Sequence, residues 1–233
     1  MTISFEGQVA IVTGAGNGLG KSHALELAKC GAKVVINDLG CSVDGIGASS
    51  EAALEVVAEI EAMGGEAISH GANVANFDEV QDMVAKTMEK WGRVDVLVNN
   101  AGAFFAQREE TDEGLEKTFA LNHLNYFLLT KLLLDLIKKG KNPRIINVAS
   151  GAHIGATLDF DNLQGKNDYS GWAAYKRSKL MNIMFTYKLA ELLKDTPITV
   201  NTLHPGFVRT RFGDNNTGIV GIGLSLAKKI GAI

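Results

Sequence analysis

Short apolar runs punctuate this chain at residues 9–12, 33–38, 67–69, 94–98, 144–149 and 198–203, and most are rich in Val and Ile without alternation. A strand that is apolar at nearly every position is covered on both faces. Between these runs, apolar residues recur at helical spacing over 19–30, 49–63, 77–91, 113–139 and 173–193. Strand–helix alternation of this kind joins parallel strands through right-handed crossovers. The predicted fold class is therefore α/β, a doubly wound parallel sheet of six strands. No repeat, low-complexity tract or linker interrupts the pattern, so residues 1–233 read as a single domain. A chain of this length buries roughly 70–75% of its unfolded surface and needs no covalent staples. The 26 glycines against 3 prolines fit many tight strand–helix turns.

Several classes are excluded at this point. The formal net charge of −3 leaves no basic surplus for neutralising phosphates, so no nucleic-acid partner is expected. Cys30 and Cys41 make no disulfide framework. They read as free thiols in a reducing compartment, and a cytoplasmic location is expected. The opening MTISFEGQ lacks the cationic and apolar regions of a signal peptide. No window approaches the ~20 apolar residues of a membrane span.

The segment TGAGNGLG at 13–20 lies between the first strand and the first helix. Gly14, Gly18 and Gly20 suit a tight turn, close backbone approach to a phosphate, and close helix–strand packing. Amide groups at the helix start, around Asn17, Gly18 and Leu19, then face an anion. Asp38 ends the second strand, where a carboxylate suits the hydroxyls of an adenosine ribose. A carboxylate there repels a 2′-phosphate, and the loop offers Asn17 rather than a cation. The expected cofactor is NAD.

Later residues narrow the reading. NNAG closes the fourth strand at 99–102, Asn122 falls within the helical stretch 113–139, and Ser150 ends the fifth strand. YKRSK places Tyr175 and Lys179 one turn apart on a helix face, and HPGFVRT follows the sixth strand. Together these motifs resemble the short-chain dehydrogenase/reductase family, over residues from about 5 to about 212. The resemblance implies that Tyr175 is the general acid/base. It implies that Lys179 binds the nicotinamide ribose and lowers the tyrosine pKa. Ser150 would orient the substrate oxygen, and Asn122 would support a water relay to Lys179. Asn73 and Val74 would border the adenine. Asn100, Ala101 and Gly102 would line a ribose. Pro205, Gly206, Val208 and Thr210 would hold the carboxamide end of the nicotinamide. The implied activity is hydride transfer between NAD and an alcohol or carbonyl compound, in a homodimer or homotetramer paired through long apolar helices.

The chemistry also stands without the family. A tyrosine base working near pH 7 needs its pKa lowered by ~3 units, or ~4 kcal/mol. A neighbouring ammonium and a positive nicotinamide ring both favour the phenolate. By contrast, Phe104, Phe105 and Phe127 read as core or subunit contacts, and His153 and His204 as capping or buried residues.

Two features depart from the family pattern. Ser150 and Tyr175 are 25 residues apart, and HIGATLDFDNLQGKNDYSGW between them resembles the retinol-dehydrogenase-like branch. The part before NNAG resembles bacterial NAD-using members instead. The second half supplies the pocket, so an apolar substrate is expected. After HPGFVRT the usual further helix and seventh strand are not evident, and residues 219–230 suit one amphipathic helix. An alternative reading is a dinucleotide-binding protein with little turnover. Another is a sugar-nucleotide epimerase or dehydratase, though such enzymes carry a further substrate domain.

Overall fold

Every residue of β1 (Val9–Thr13) is buried, because this strand lies at the centre of the sheet. The computed structural model describes residues 3–40, 51–206 and 208. Around β1 pair β2 (Lys33–Asn37), β3 (Ala67–His70), β4 (Val96–Asn99), β5 (Arg144–Val148) and β6 (Thr199–Leu203). The order is β3-β2-β1-β4-β5-β6 and every pairing is parallel. Six strands are present among the described residues, as the apolar runs predict. The order reverses between β1 and β4. In open α/β sheets the crevice beyond the carboxyl ends at that point is where ligands bind.

Alternate residues of each strand feed two cores. Ala10, Val12, Val34 and Ile36 pack with Ala24 and Ala28 of α1 (Gly18–Lys29) and Val56 and Ile60 of α2 (Glu51–Ala62). Ile11, Val35, Leu97 and Ile145 face the other way. They meet Val80 and Met83 of α3 (Phe77–Trp91). This double covering explains the absence of polar alternation in β1, β2 and β4.

The single helix expected over 113–139 is a different object. Residues through 115 are irregular, with Gly114 at φ +78°. The Glu116 carboxylate accepts the N–H groups of Thr118 and Phe119 at 2.8 and 2.7 Å and so starts the helix there. One turn, α4 (Lys117–Phe119), widens into a π-turn (Ala120–Leu124) and continues as α5 (Asn125–Ile137). Leu129, Leu133 and Ile137 of α5 complete the second core with Leu189 of α6 (Gly171–Leu192). Apolar spacing carries across a π-turn almost unchanged, so the sequence pattern did not show the interruption. Cys41, Thr210 and the 219–230 segment lie outside the described residues.

Candidate active site

The loop after β1 turns at Gly14, whose φ of +63° suits glycine. It then passes so close to α1 that a Cβ on Gly20 would collide with the Gly14 carbonyl oxygen and come within 2.7 Å of Asn100 Nδ2. Asn17 is the N-cap of α1, yet its side chain makes no capping bond. The caps of α3, α4 and α6 differ: Asn76, Glu116 and Ser170 each satisfy first-turn N–H groups with a side chain. The cradle and the unsatisfied first-turn amides around Gly18, Leu19 and Gly20 fit the diphosphate of a dinucleotide.

Asp38 stands at the rim of this cradle. Its Oδ2 accepts the N–H of Gly16 at 2.8 Å, and its Oδ1 accepts that of Gly40 at 2.9 Å. The carboxylate is thereby fixed beside the loop, at the end of β2, where the sequence places it. Asn73 and Val74 lie beyond β3. Asn73 Oδ1 accepts the Ala75 N–H at 3.0 Å, and Val74 is buried. Gly16 was not among the expected site residues, although its place in TGAGNGLG was a signal.

The loop is locked to β4 by two residues. Thr13 Oγ1 accepts the N–H groups of Asn100 and Ala101 at 2.9 and 3.0 Å. Asn100 Nδ2 donates to the carbonyls of Thr13 and Gly14 at 2.8 and 3.2 Å. Asn100, expected to line a ribose, thus has its amide occupied in holding the cradle. Thr13 was missed as a contributor.

At the same end of the sheet, the chemistry-bearing side chains converge. Tyr175 is hydrogen-bonded to Ser150. Lys179 Nζ lies 5.7 Å from the Tyr175 ring centre and donates to the Val148 carbonyl at 3.2 Å. A Cβ on Gly102 would stand 3.2 Å from Asn122 Oδ1 and 3.5 Å from Lys179 Nζ, so these groups share one small space. The Asn122 amide pairs reciprocally with the backbone of Ala103, both bonds 2.9 Å, and also donates to Ser178 Oγ at 3.2 Å. Its backbone carbonyl, in the π-turn, accepts Asn182 Nδ2 at 2.8 Å. Tyr126 was missed: its buried ring also lies 5.7 Å from Lys179 Nζ, and its hydroxyl donates to the Val148 carbonyl at 3.3 Å.

Burial dominates the electrostatics. It raises the Tyr175 pKa, with the Ser150 hydrogen bond pulling the other way. It also lowers Lys179 to about 8. The expectation that Lys179 depresses the tyrosine pKa is therefore corrected for the protein alone. Desolvation weakens the cation and penalises the phenolate together.

The histidines frame Ser150. His153 Nδ1 lies 2.6 Å from the Ser150 carbonyl oxygen, and His204 Nδ1 accepts the Gly151 N–H at 3.0 Å. Pro205, Gly206 and Val208 follow β6 near this end, and Val208 is half-buried. The long segment between Ser150 and Tyr175 folds as short 3₁₀ turns, Gly151–His153 and Phe160–Asn162, within irregular chain. Gln164 Oε1 accepts the Glu116 N–H at 2.8 Å, and the Tyr169 hydroxyl donates to Glu116 Oε1 at 3.1 Å. These bonds tie the segment to the start of α4. Phe104, expected in the core, packs edge-on against the Tyr175 ring with centroids 6.1 Å apart.

Comparison with known proteins gives a family match and relatives. The model for short chain dehydrogenase matches residues 8–219. Retinol dehydrogenase 13 of Homo sapiens is 39% identical over 221 residues, covering 92% of this chain and 63% of that protein. A 3-oxoacyl-[acyl-carrier-protein] reductase of Synechocystis is 41% identical over 211 residues, covering 89% and 77%. The chain thus spans less than two thirds of the retinol dehydrogenase it matches. Both branches seen in the sequence recur among these relatives. A structure of 7α-hydroxysteroid dehydrogenase complexed with NADH and 7-oxo glycochenodeoxycholic acid superposes with a TM-score of 0.70 at 27% identity, covering 90% of this chain and 74% of that one. A short chain dehydrogenase from Burkholderia cenocepacia in complex with NADP gives 0.73 at 29%, covering 96% and 82%.

Proposed function

The chain belongs to the short-chain dehydrogenase family, and from that premise we propose that it is an oxidoreductase moving a hydride between NAD and an apolar alcohol or carbonyl compound. The observation that carries this reading is the meeting of Ser150, Tyr175 and Lys179 beside the glycine cradle, at the carboxyl end of the sheet. When bound, the nicotinamide dinucleotide supplies or accepts the hydride. The residues of the chain do the rest. The cradle at Gly14, Gly18, Leu19 and Gly20 holds the diphosphate by backbone amides. Asp38 takes the adenosine ribose hydroxyls and disfavours a 2′-phosphate, which selects NAD. Asn73 and Val74 border the adenine, and Ala101 and Gly102 line the nicotinamide ribose with Lys179. Pro205, Gly206, Val208 and Thr210 hold the carboxamide end.

Ser150 donates to the substrate oxygen, and Tyr175 passes the proton to it in reduction or removes it in oxidation. Positioned proton transfer of this kind contributes ~10²–10⁴-fold to rate. Lys179 is charged below about pH 8, which sets the range in which its ammonium can hold the nicotinamide ribose. Phe104 and Trp172 against the Tyr175 ring support an apolar substrate. Phe127, Met184 and Tyr187 are exposed on α5 and α6, which supports a homodimer or homotetramer paired through those helices. No helix among the described residues is long and apolar enough to cross a membrane. A reducing, cytoplasmic setting suits the free Cys30 thiol.

Tyr175→Phe tests the assignment. Turnover on a panel of apolar alcohols and ketones is expected to vanish, with NAD affinity, read by fluorescence quenching, within a few-fold of the parent. A Tyr175→Phe protein that still turns over refutes the mechanism. A parent that binds NAD but turns over nothing in the panel favours the binding-protein reading.

A further inference from the structure

Trp172 stands in the first turn of α6 and half its surface is open, at 52% exposure. An indole so placed gains little from burial, yet its ring is not loose. It stacks on Tyr175, three residues on, with an interplanar angle of 23° and centroids 5.9 Å apart. Residues three apart on a helix are neighbours, so this contact alone shows little. A second contact comes from elsewhere in the chain. Phe104, in the segment that leaves β4, is buried and meets both rings edge-on, Trp172 at 6.3 Å and 64°, Tyr175 at 6.1 Å and 80°. Offset-stacked and edge-to-face pairs at these separations are the favoured aromatic geometries.

The backbone holds the trio in place. A Cβ on Gly171 would collide with the Phe105 carbonyl oxygen and come within 2.8 Å of Ala106 Cα. The start of α6 is therefore pressed onto the 104–106 segment with no room for a side chain. Phe104 and Trp172 are carried by two pieces of chain in direct contact, and the Tyr175 ring lies against both.

We propose that Trp172 is a positioning residue for Tyr175: with Phe104 it clamps the phenol ring so that its hydroxyl stays at Ser150. The proposal rests on Tyr175 as the acid/base. The Tyr175 oxygen lies on the long axis of its ring, so spinning the ring does not move it. Swinging the ring about χ1 does, and a swing would strip the phenol from the indole face. Trp172 also covers the ring from water, and burial is the main reason the phenol pKa is raised. One residue thus influences both the place of the proton and the pH at which it leaves.

The test compares Trp172→Ala and Trp172→Phe with the parent, using one alcohol substrate and the full pH profile of oxidation. For Trp172→Ala, kcat is expected to fall about 10- to 100-fold, the scale of a small misplacement of a reacting group. NAD affinity should stay within three-fold, with the remaining Trp91 as the fluorescent reporter. The inflection of the pH profile should move to lower pH, because the phenol loses its cover. Trp172→Phe should restore most of kcat and return the inflection, because a ring again faces the phenol. Trp172→Ala with kcat within two-fold and an unmoved inflection overturns the proposal. Trp172→Phe no better than Trp172→Ala also overturns it, since a ring would then not be what matters. Turnover surviving in Tyr175→Phe brings down the acid/base assignment itself, a failure distinguishable from these two.

Discussion

Lys179 should make this protein less stable than it could be. Its side chain is 4% exposed, and burial lowers its pKa from the ordinary 10.5 to about 8. At pH 7 the ammonium is charged in both the folded and unfolded chain, and the folded state carries the cost of desolvating it. A displacement of about two and a half pH units corresponds to roughly 3 kcal/mol. Lys179→Met removes that cost and keeps a side chain of similar length. It leaves the Val148 carbonyl with the Tyr126 hydroxyl and without the ammonium, a loss of about 1 kcal/mol. The variant should therefore be more stable than the parent by about 2 kcal/mol at pH 7. That is a rise of about 4–8 °C in melting temperature for a chain of this size. The advantage shrinks as pH rises. Between about 8 and 10.5 the unfolded chain binds the proton that the folded chain has released, so the parent gains stability as pH rises. By about pH 9.5 the advantage of Lys179→Met should be nearly gone. The assay is thermal melting of both proteins at one concentration, at pH 7.0 and pH 9.5. A variant less stable than its parent at pH 7, or a difference that does not change with pH, refutes the reasoning.

Asp38→Ala should relax cofactor choice toward NADP, measured as the ratio of kcat/KM for the two cofactors; a parent that already prefers NADP overturns the selection argument. Asp95 is fully buried where the strands begin, and its carboxylate accepts from Arg93 and from the N–H groups of Val9 and Lys141. Burial pushes its pKa up, but the Arg93 bond and those two backbone bonds outweigh burial and hold it below the ordinary value. Its contribution is present above the ordinary carboxylate range and lost as pH falls through the lowered pKa. Asp95→Asn should cost about 2–4 kcal/mol in urea unfolding at neutral pH, and a change under 0.5 kcal/mol would show the cluster to be idle. Sedimentation at micromolar concentration should give a dimer or tetramer, and a stable monomer sinks the pairing of α5 and α6.

The parts of this molecule that were legible in sequence are those that local chemistry dictates. The central strands β1, β2 and β4 are buried on both faces and have to be apolar nearly throughout, so their runs were plain; the edge strands β3 and β6 are mostly unburied, yet their shorter apolar runs also became strands. The cradle was legible because its glycines answer to backbone geometry within a few residues. Tyr175 and Lys179 were legible as a pair because the spacing of four is a property of one helix. What was illegible depends on chain segments meeting. Phe104 is buried, as its reading as a core residue expects, but nothing in the sequence showed which ring it would pack against. Only the docking of α6 on residues 104–106 makes it a neighbour of Tyr175. The π-turn at Ala120–Leu124 leaves no mark on apolar spacing, and Tyr126 gave no sign that its ring would lie beside the lysine. The direction of the Tyr175 pKa was misread for a related reason: the pair was visible in sequence, and the depth of its burial was not.

The placement of that pair on the sheet is itself set by polar residues that the apolar pattern ignores. Asn99 Nδ2 donates to Asn147 Oδ1 at 2.8 Å, linking β4 to β5, and Asn147 Nδ2 donates to Thr186 Oγ1 of α6 at 2.9 Å. Thr186 Oγ1 donates to the Asn182 carbonyl at 2.7 Å, and Asn182 Nδ2 donates to the Asn122 carbonyl in the π-turn. Asn122 in turn pairs with Ala103, one residue before Phe104. All four of these asparagines and Thr186 are buried. Apolar contacts alone would hold α6 on the sheet yet tolerate small slides along it. A slide breaks a buried hydrogen bond and leaves each separated group to bear ~1–3 kcal/mol of desolvation. The chain of amides therefore gives α6 a single seat. Tyr175 and Lys179 lie on the same helix, seven and three residues before Asn182, and the register of that one bond decides where the phenol and the ammonium arrive relative to Ser150 and Gly102.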